Sequence, residues 1–141
     1  MDAIKILQPI IIMGLHTLII TIYMFITRIS AMKKLKIHPE KGQDTSNLKL
    51  LLPAEVNRIS NNYNHLFEQP TLFYAVVLLI ALLGHVDTLS VICAWSYVAV
   101  RVIHSLIQIT IDRVLIRFYL FLFSWLILAA MLIKEAKIIF F

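Results

Sequence analysis

Asn57, Asn61, Asn64 and Glu68 recur at spacings of four, three and four, the interval of a single helical face. A second stripe, Tyr97, Arg101, His104, Ser105, Gln108 and Asp112, follows the same rule, and Arg113 and Arg117 come directly after it. Arg58, Asn62 and His65 flank the first stripe. Guanidinium groups hold carboxylates through paired N–H bonds, asparagine amides read amide groups, and a carboxylate accepts an ammonium. Such a set suits a small zwitterionic, peptide-like anion with more than one carboxylate. An arginine beside a thiol would add chemistry, drawing the thiol pKa down from about 8.5 and supplying thiolate at neutral pH.

The elements that must position these groups are apolar. Of 141 residues, 60% are hydrophobic and 15% charged, against roughly 45–50% and about 25% in soluble domains. Four runs hold the excess: residues 6–27 and 69–86 are uncharged, 88–111 is broken only by Arg101, and 114–133 only by Arg117. About 20 residues of helix cross a hydrocarbon core of about 30 Å. The chain therefore reads as an all-α integral membrane four-helix bundle forming one domain over 1–141. Its helices are expected at about 5–28, 53–84, 88–111 and 114–134, with a loop over about 29–52. An arginine inside the third helix costs at least about 2.5–3.5 kcal/mol if it faces lipid, so Arg101 must face a partner or a wet cavity. Glu68, at the entry of the second helix, is its candidate counter-ion, or can meet the amine of a ligand, or both.

The first run is longer than a signal-peptide core and is followed by "RISAMKKLK" rather than a small-residue cleavage site, so it is expected to stay in the mature protein. Arg28, Lys33, Lys34, Lys36, Lys41, Lys49 and Arg58 crowd the first connection, and Arg113 and Arg117 the third, whereas the "GHVDT" turn holds no Lys or Arg. The positive-inside rule then places the long loop in the cytoplasm and both termini outside. The net charge of +5 is explained by this topology and by contact with anionic lipid, with no nucleic-acid partner. Residues 38–47, "HPEKGQDTSN", look disordered. Pro53 is expected at a first helical position, Pro70 as a kink, Gly84 as a helix end and Asp87 as the next N-cap. Cys93 is the only cysteine, and His85 with Asp87 lacks further ligands for a metal. No P-loop, dinucleotide glycine pattern, nucleophile elbow or HExxH occurs.

"RISNNYNHLFEQPTLFYAVVLL" followed by "YVAVRVIHSLIQITIDRVLIRF" resembles the MAPEG family, the membrane-associated proteins in eicosanoid and glutathione metabolism, in its bacterial branch. The similarity is clearest over residues 54–130. It implies a homotrimer of four-helix bundles in a bacterial inner membrane, binding glutathione at the cytoplasmic side between subunits. By that resemblance Glu68 and Asn64 receive the γ-glutamyl end, Arg101 holds the glutathione carboxylates, and Arg28 adds a basic contact. Arg58, Asn61, His104 and Gln108 belong to the same expected glutathione-binding set. The thiolate falls to Arg117 or to Arg113, one helical turn earlier. The implied activity is transfer of glutathione to a lipophilic electrophile, or reduction of a peroxide with it. The rival expectation is a non-catalytic trimer whose groove takes a lipid or a partner helix.

Overall fold

The computed structural model describes residues 3–141, which form helices without a strand among the described residues. The four spans are α1 (Ala3–Lys34), the broken pair α3 (Ala54–Leu66) and α4 (Gln69–Leu82), α5 (Thr88–Ile109) and α6 (Val114–Phe140). A short α2 (Thr45–Leu51) lies in the loop after α1. Helix α5 is central, packing against α1, α3 and α6. Its core layer meets α4 where the Phe73 and Tyr97 rings stack at 4.2 Å between centroids. Ile6, Met13, Ile20, Val77, Ile80 and Leu128 are buried around that contact. Only 17% of the apolar window of α1 and of α6 is buried, against 39% for α3–α4 and 44% for α5, so α1 and α6 form the lipid-facing flanks of the isolated chain.

Three departures from the sequence reading have physical causes. Helix α1 runs on through Lys34 instead of ending near Arg28. "ISAMKK" contains good helix formers, and Lys33 and Lys34 sit in the last turn, where cations complement the helix dipole. The segment expected to be disordered is instead structured. His38 caps a 3₁₀ turn over Pro39–Gln43, and Asp44 caps α2 through its bond from the Ser46 N–H at 2.9 Å. Asn57 then ties α2 down by donating to the carbonyls of Lys49 at 2.7 Å and Leu52 at 3.1 Å, and Leu48 is buried beneath it.

The expected kink at Pro70 is a full interruption two residues earlier. Pro70 lacks an N–H and occupies the first turn of α4, so it cannot satisfy the carbonyl of Leu66 four residues back. The chain leaves helical geometry at Glu68, whose φ of −88° and ψ of −98° separate the two helices. Thr71 covers part of the break, its hydroxyl donating to the Glu68 carbonyl at 2.6 Å.

At the far end of the bundle the expected turn is present. Gly84 takes φ +72°, a conformation that costs non-glycine residues roughly 1–2 kcal/mol, and so ends α4. Asp87 caps α5 by accepting the Ser90 N–H at 2.9 Å. From α6, Lys134 donates to Asp87 at 2.7 Å and to the Ser90 hydroxyl at 2.6 Å, while His85 Nδ1 meets Glu135 Oε2 at 2.8 Å. Lys134 and Ser90 hold the Asp87 carboxyl well below the usual carboxylate range. A carboxyl whose pKa is depressed by folding stabilises the fold fully above its unfolded pKa and ceases to do so as the pH falls through the folded value. Asp87→Asn is therefore expected to unfold at a lower temperature than the native chain at pH 7. That gap should persist down to about pH 5 and narrow once the pH drops below the ordinary aspartate value of about 3.9. Thermal unfolding in detergent across that range measures it, and a gap independent of pH would assign the effect to capping geometry alone.

Candidate functional site

The interruption after α3 creates the site's central contact. Carbonyls in the last turn of a helix have no following turn to satisfy them, and the His65 carbonyl accepts instead from Nη2 of Arg101 at 2.9 Å. Arg101 is 1% exposed, and its Nε and Nη1 have no protein partner among the described residues. The expected Glu68–Arg101 ion pair is not formed. Glu68 is exposed beside the break and pairs with His65, Oε2 to Nδ1 at 3.0 Å, so His65 stands between the two charges with its ring toward the acid and its carbonyl toward the arginine.

Around Arg101 lies a polar layer facing the interior. His104 and Gln108 are buried on successive turns of α5, and the Gln108 Oε1 has no partner among the described residues. Asn62 donates to the Ser105 hydroxyl at 2.6 Å, joining α3 to α5 in a fully buried bond. The Tyr97 hydroxyl and His16 Nε2 are likewise buried and unpaired among the described residues. The His65 and His104 rings meet edge to face at 6.3 Å.

The other expected residues separate into distinct places. Arg117 pairs with Asp112 across the α5–α6 turn, where Asp112 adopts a left-handed φ of +48°. Arg117 also lines a pocket of about 200 Å³ with His65, His104, Val114, Phe118 and Phe121. Arg113 is exposed at the start of α6 and makes no side-chain cap bond. Arg58 donates to the Thr110 carbonyl at 2.8 Å, closing the end of α5, and Asn61 is half-buried on α3. Arg28 and Asn64 lie apart from Arg117, in a second pocket of about 220 Å³ between α1, α2 and α3. Glu68 and His104 thus belong with Arg101 and Arg117, while Arg28 and Asn64 do not join them within one chain.

Sequence reasoning left Lys49, Asn62 and His65 out of the site. His65 is one residue off the Asn57–Glu68 stripe, and only the helix break exposes its carbonyl. Asn62 and Ser105 are separated by 43 positions, so no local spacing pairs them. Lys49 reaches the second pocket only because α2 folds back. A larger apolar groove, about 590 Å³, runs between α1 and the α3–α4 junction, lined by Leu15, Leu18, Phe67, Tyr74 and Leu78 among others.

Four apolar spans around a buried arginine layer, with two small cationic pockets at the basic end, define a multi-pass membrane protein with a polar site near one surface. The chain belongs to the MAPEG family, whose model matches residues 6–136. No similar curated protein and no similar solved structure was found.

The Asn62–Ser105 bond gives this layer a direct test. Ser105→Ala leaves the buried Asn62 amide without its partner and should cost about 1–2 kcal/mol. Adding Asn62→Leu should recover part of that loss, because an apolar pair has nothing left unsatisfied. Unfolding in detergent of the two single variants and the double variant measures the coupling, and simple additivity would show that the bond contributes little.

Proposed function

We propose that this chain is a glutathione-dependent membrane enzyme that conjugates the tripeptide to lipophilic electrophiles or uses it to reduce lipophilic peroxides. The observation that supports this most is the Arg117 pocket. It places a guanidinium and two histidines against an apolar wall of Val114, Phe118 and Phe121, at the basic end of a membrane bundle. A cation beside that wall favours thiolate over thiol where a lipophilic acceptor can arrive from the bilayer. In conjugation the thiol proton passes to water, the sulfur bonds to the electrophilic carbon, and the leaving group departs with its electron pair. Glu68, exposed beside the α3–α4 break, would exchange its His65 partner for the γ-glutamyl ammonium, while Arg101, buried behind His65, adds positive charge to the same layer.

A pocket of about 200 Å³ is below the roughly 300–1,000 Å³ typical of ligand sites. In this reading a neighbouring subunit completes it, and the exposed α1 and α6 flanks are the surfaces that assemble a homotrimer. The apolar groove beside α1, where a Cβ added at Gly14 would meet nothing within 4 Å, leaves room for a close helix. The basic loop faces the cytoplasm of a bacterial inner membrane in this reading, with both termini outside.

One observation favours a second reading, a non-catalytic trimer that binds a lipid or a partner helix in the same groove: Asp112 already pairs with Arg117 and offsets its charge. Glutathione titrated into the detergent-purified protein separates the two. At 100 times its Kd, glutathione should add about 2.7 kcal/mol to the unfolding free energy. At pH 7 a thiol of pKa about 8.5 is only about 3% ionised, so Arg117→Leu should slow conjugation by up to about thirtyfold. That deficit should shrink as the pH approaches 9, and Arg113→Leu should show no such profile. No stabilisation by glutathione, with function unaffected in Arg117→Leu, would establish the non-catalytic reading.

A further inference from the structure

The pocket between α1, α2 and α3 differs in kind from the one at Arg117. Met24 and Arg28 come from α1, Thr45 and Lys49 from α2, and Ser60, Tyr63 and Asn64 from α3, so three helices of one chain wall it. It holds two cations and no carboxylate, with hydroxyl and amide groups between them. Neither Arg28 nor Lys49 makes an ion pair among the described residues, and the Arg28 Nε is buried with no hydrogen-bond partner. Buried guanidinium donors are costly to leave unpaired, and an uncompensated pair of cations draws an anion with several acceptor oxygens.

Depth identifies the anion. Arg28 is the first charged residue after the uncharged run 6–27, so it stands where hydrocarbon gives way to headgroups. Basic pockets between membrane helices at that level hold phosphate headgroups of anionic lipids. The loop helix is fastened for the purpose, since Asn57 holds the Lys49 carbonyl at 2.7 Å and buried Leu48 anchors the turn, leaving the Lys49 side chain exposed at the pocket. We infer that Arg28 and Lys49, with Thr45, Ser60, Tyr63 and Asn64, form a phosphate-binding site for the headgroup of an anionic phospholipid, separate from the Arg117 pocket. The lipid's headgroup ties the loop to the bundle, and its tails extend from the pocket into the surrounding hydrocarbon. This site stands whether or not the chain handles glutathione.

Binding is read from the intrinsic fluorescence and thermal unfolding of the full chain in neutral detergent. Dihexanoyl phosphatidic acid, dihexanoyl phosphatidylglycerol, dihexanoyl phosphatidylcholine, inorganic phosphate and glutathione are titrated against the native chain and against Arg28→Gln, Lys49→Gln and Lys41→Gln. Lys41 is exposed in the 3₁₀ turn and outside the pocket. The expected result is saturable binding of the two anionic lipids over phosphatidylcholine, weakened roughly tenfold or more in Lys49→Gln and Arg28→Gln and unchanged in Lys41→Gln. Lys49→Gln keeps the backbone carbonyl that fastens α2, so it decides the matter if Arg28→Gln fails to fold. Equal weakening in Lys41→Gln would reduce the effect to general surface charge and overturn the site. Inorganic phosphate binding as tightly as the lipids would make the ligand a soluble phosphate compound and overturn the lipid assignment. Glutathione, rather than lipid, losing affinity in Lys49→Gln would merge this pocket with the thiol site and overturn their separation. Lipid binding as expected with no glutathione binding anywhere would support this inference while the enzymatic reading fails.

Discussion

The bond from Arg101 to the His65 carbonyl is the contact on which the rest of the bundle depends. A guanidinium deep in a membrane-spanning helix is tolerated only if something polar meets it, and unpairing a buried charge costs roughly 3–5 kcal/mol. Here the partner is a backbone oxygen, and that oxygen is free only because the second span is interrupted. The proline that breaks the helix and the arginine that would otherwise be stranded thus solve each other's problem. The surrounding polar groups follow from the same arrangement. Once α5 turns Arg101 inward, the residues a turn or two away, Tyr97, His104, Ser105 and Gln108, must turn inward with it.

The basic end of the molecule is organised as two pockets rather than one. Helix α3 is the partition. On one side His65 faces His104 and Arg117, and on the other Ser60, Tyr63 and Asn64 face Arg28 and Lys49. Helical geometry imposes this, because Asn64 and His65 are neighbours in sequence but about 100° apart around the axis. A stripe of asparagines leading to a glutamate suggests one continuous polar surface. The break at Glu68 ends that surface and sends the acid to His65.

Much of this was legible from the residues. Four spans, the Asp87 cap, the Gly84 exit and an inward-facing Arg101 stripe from Tyr97 to Gln108 all follow from charge-free runs, capping chemistry and the expense of a charge in hydrocarbon, and each is present, whereas Asp112, expected on the same stripe, lies past the end of α5 in the turn. The helical loop was missed because Pro, Gly and polar residues also make 3₁₀ turns and caps, and what orders them is a distant tie from Asn57 to the Lys49 carbonyl. The partner of Arg101 was missed for a sharper reason. Pairing by side-chain charge looks for a carboxylate, whereas a helix end supplies a carbonyl that every residue possesses and no sequence marks.

The α5–α6 hairpin is fastened at both ends. Lys134 joins it to Asp87 and Ser90 at one, and Arg117 joins Asp112 at the other. Helix α1 meets the rest of the bundle largely through apolar packing such as Ile6, Met13 and Ile20. The two walls of any cleft between them therefore differ in what they lose on binding. The hairpin gives up its conformational freedom when the protein folds, so a ligand seated on it incurs little further entropic cost there. Apolar packing is non-directional, so the hairpin wall rather than α1 fixes the orientation of a ligand seated between them.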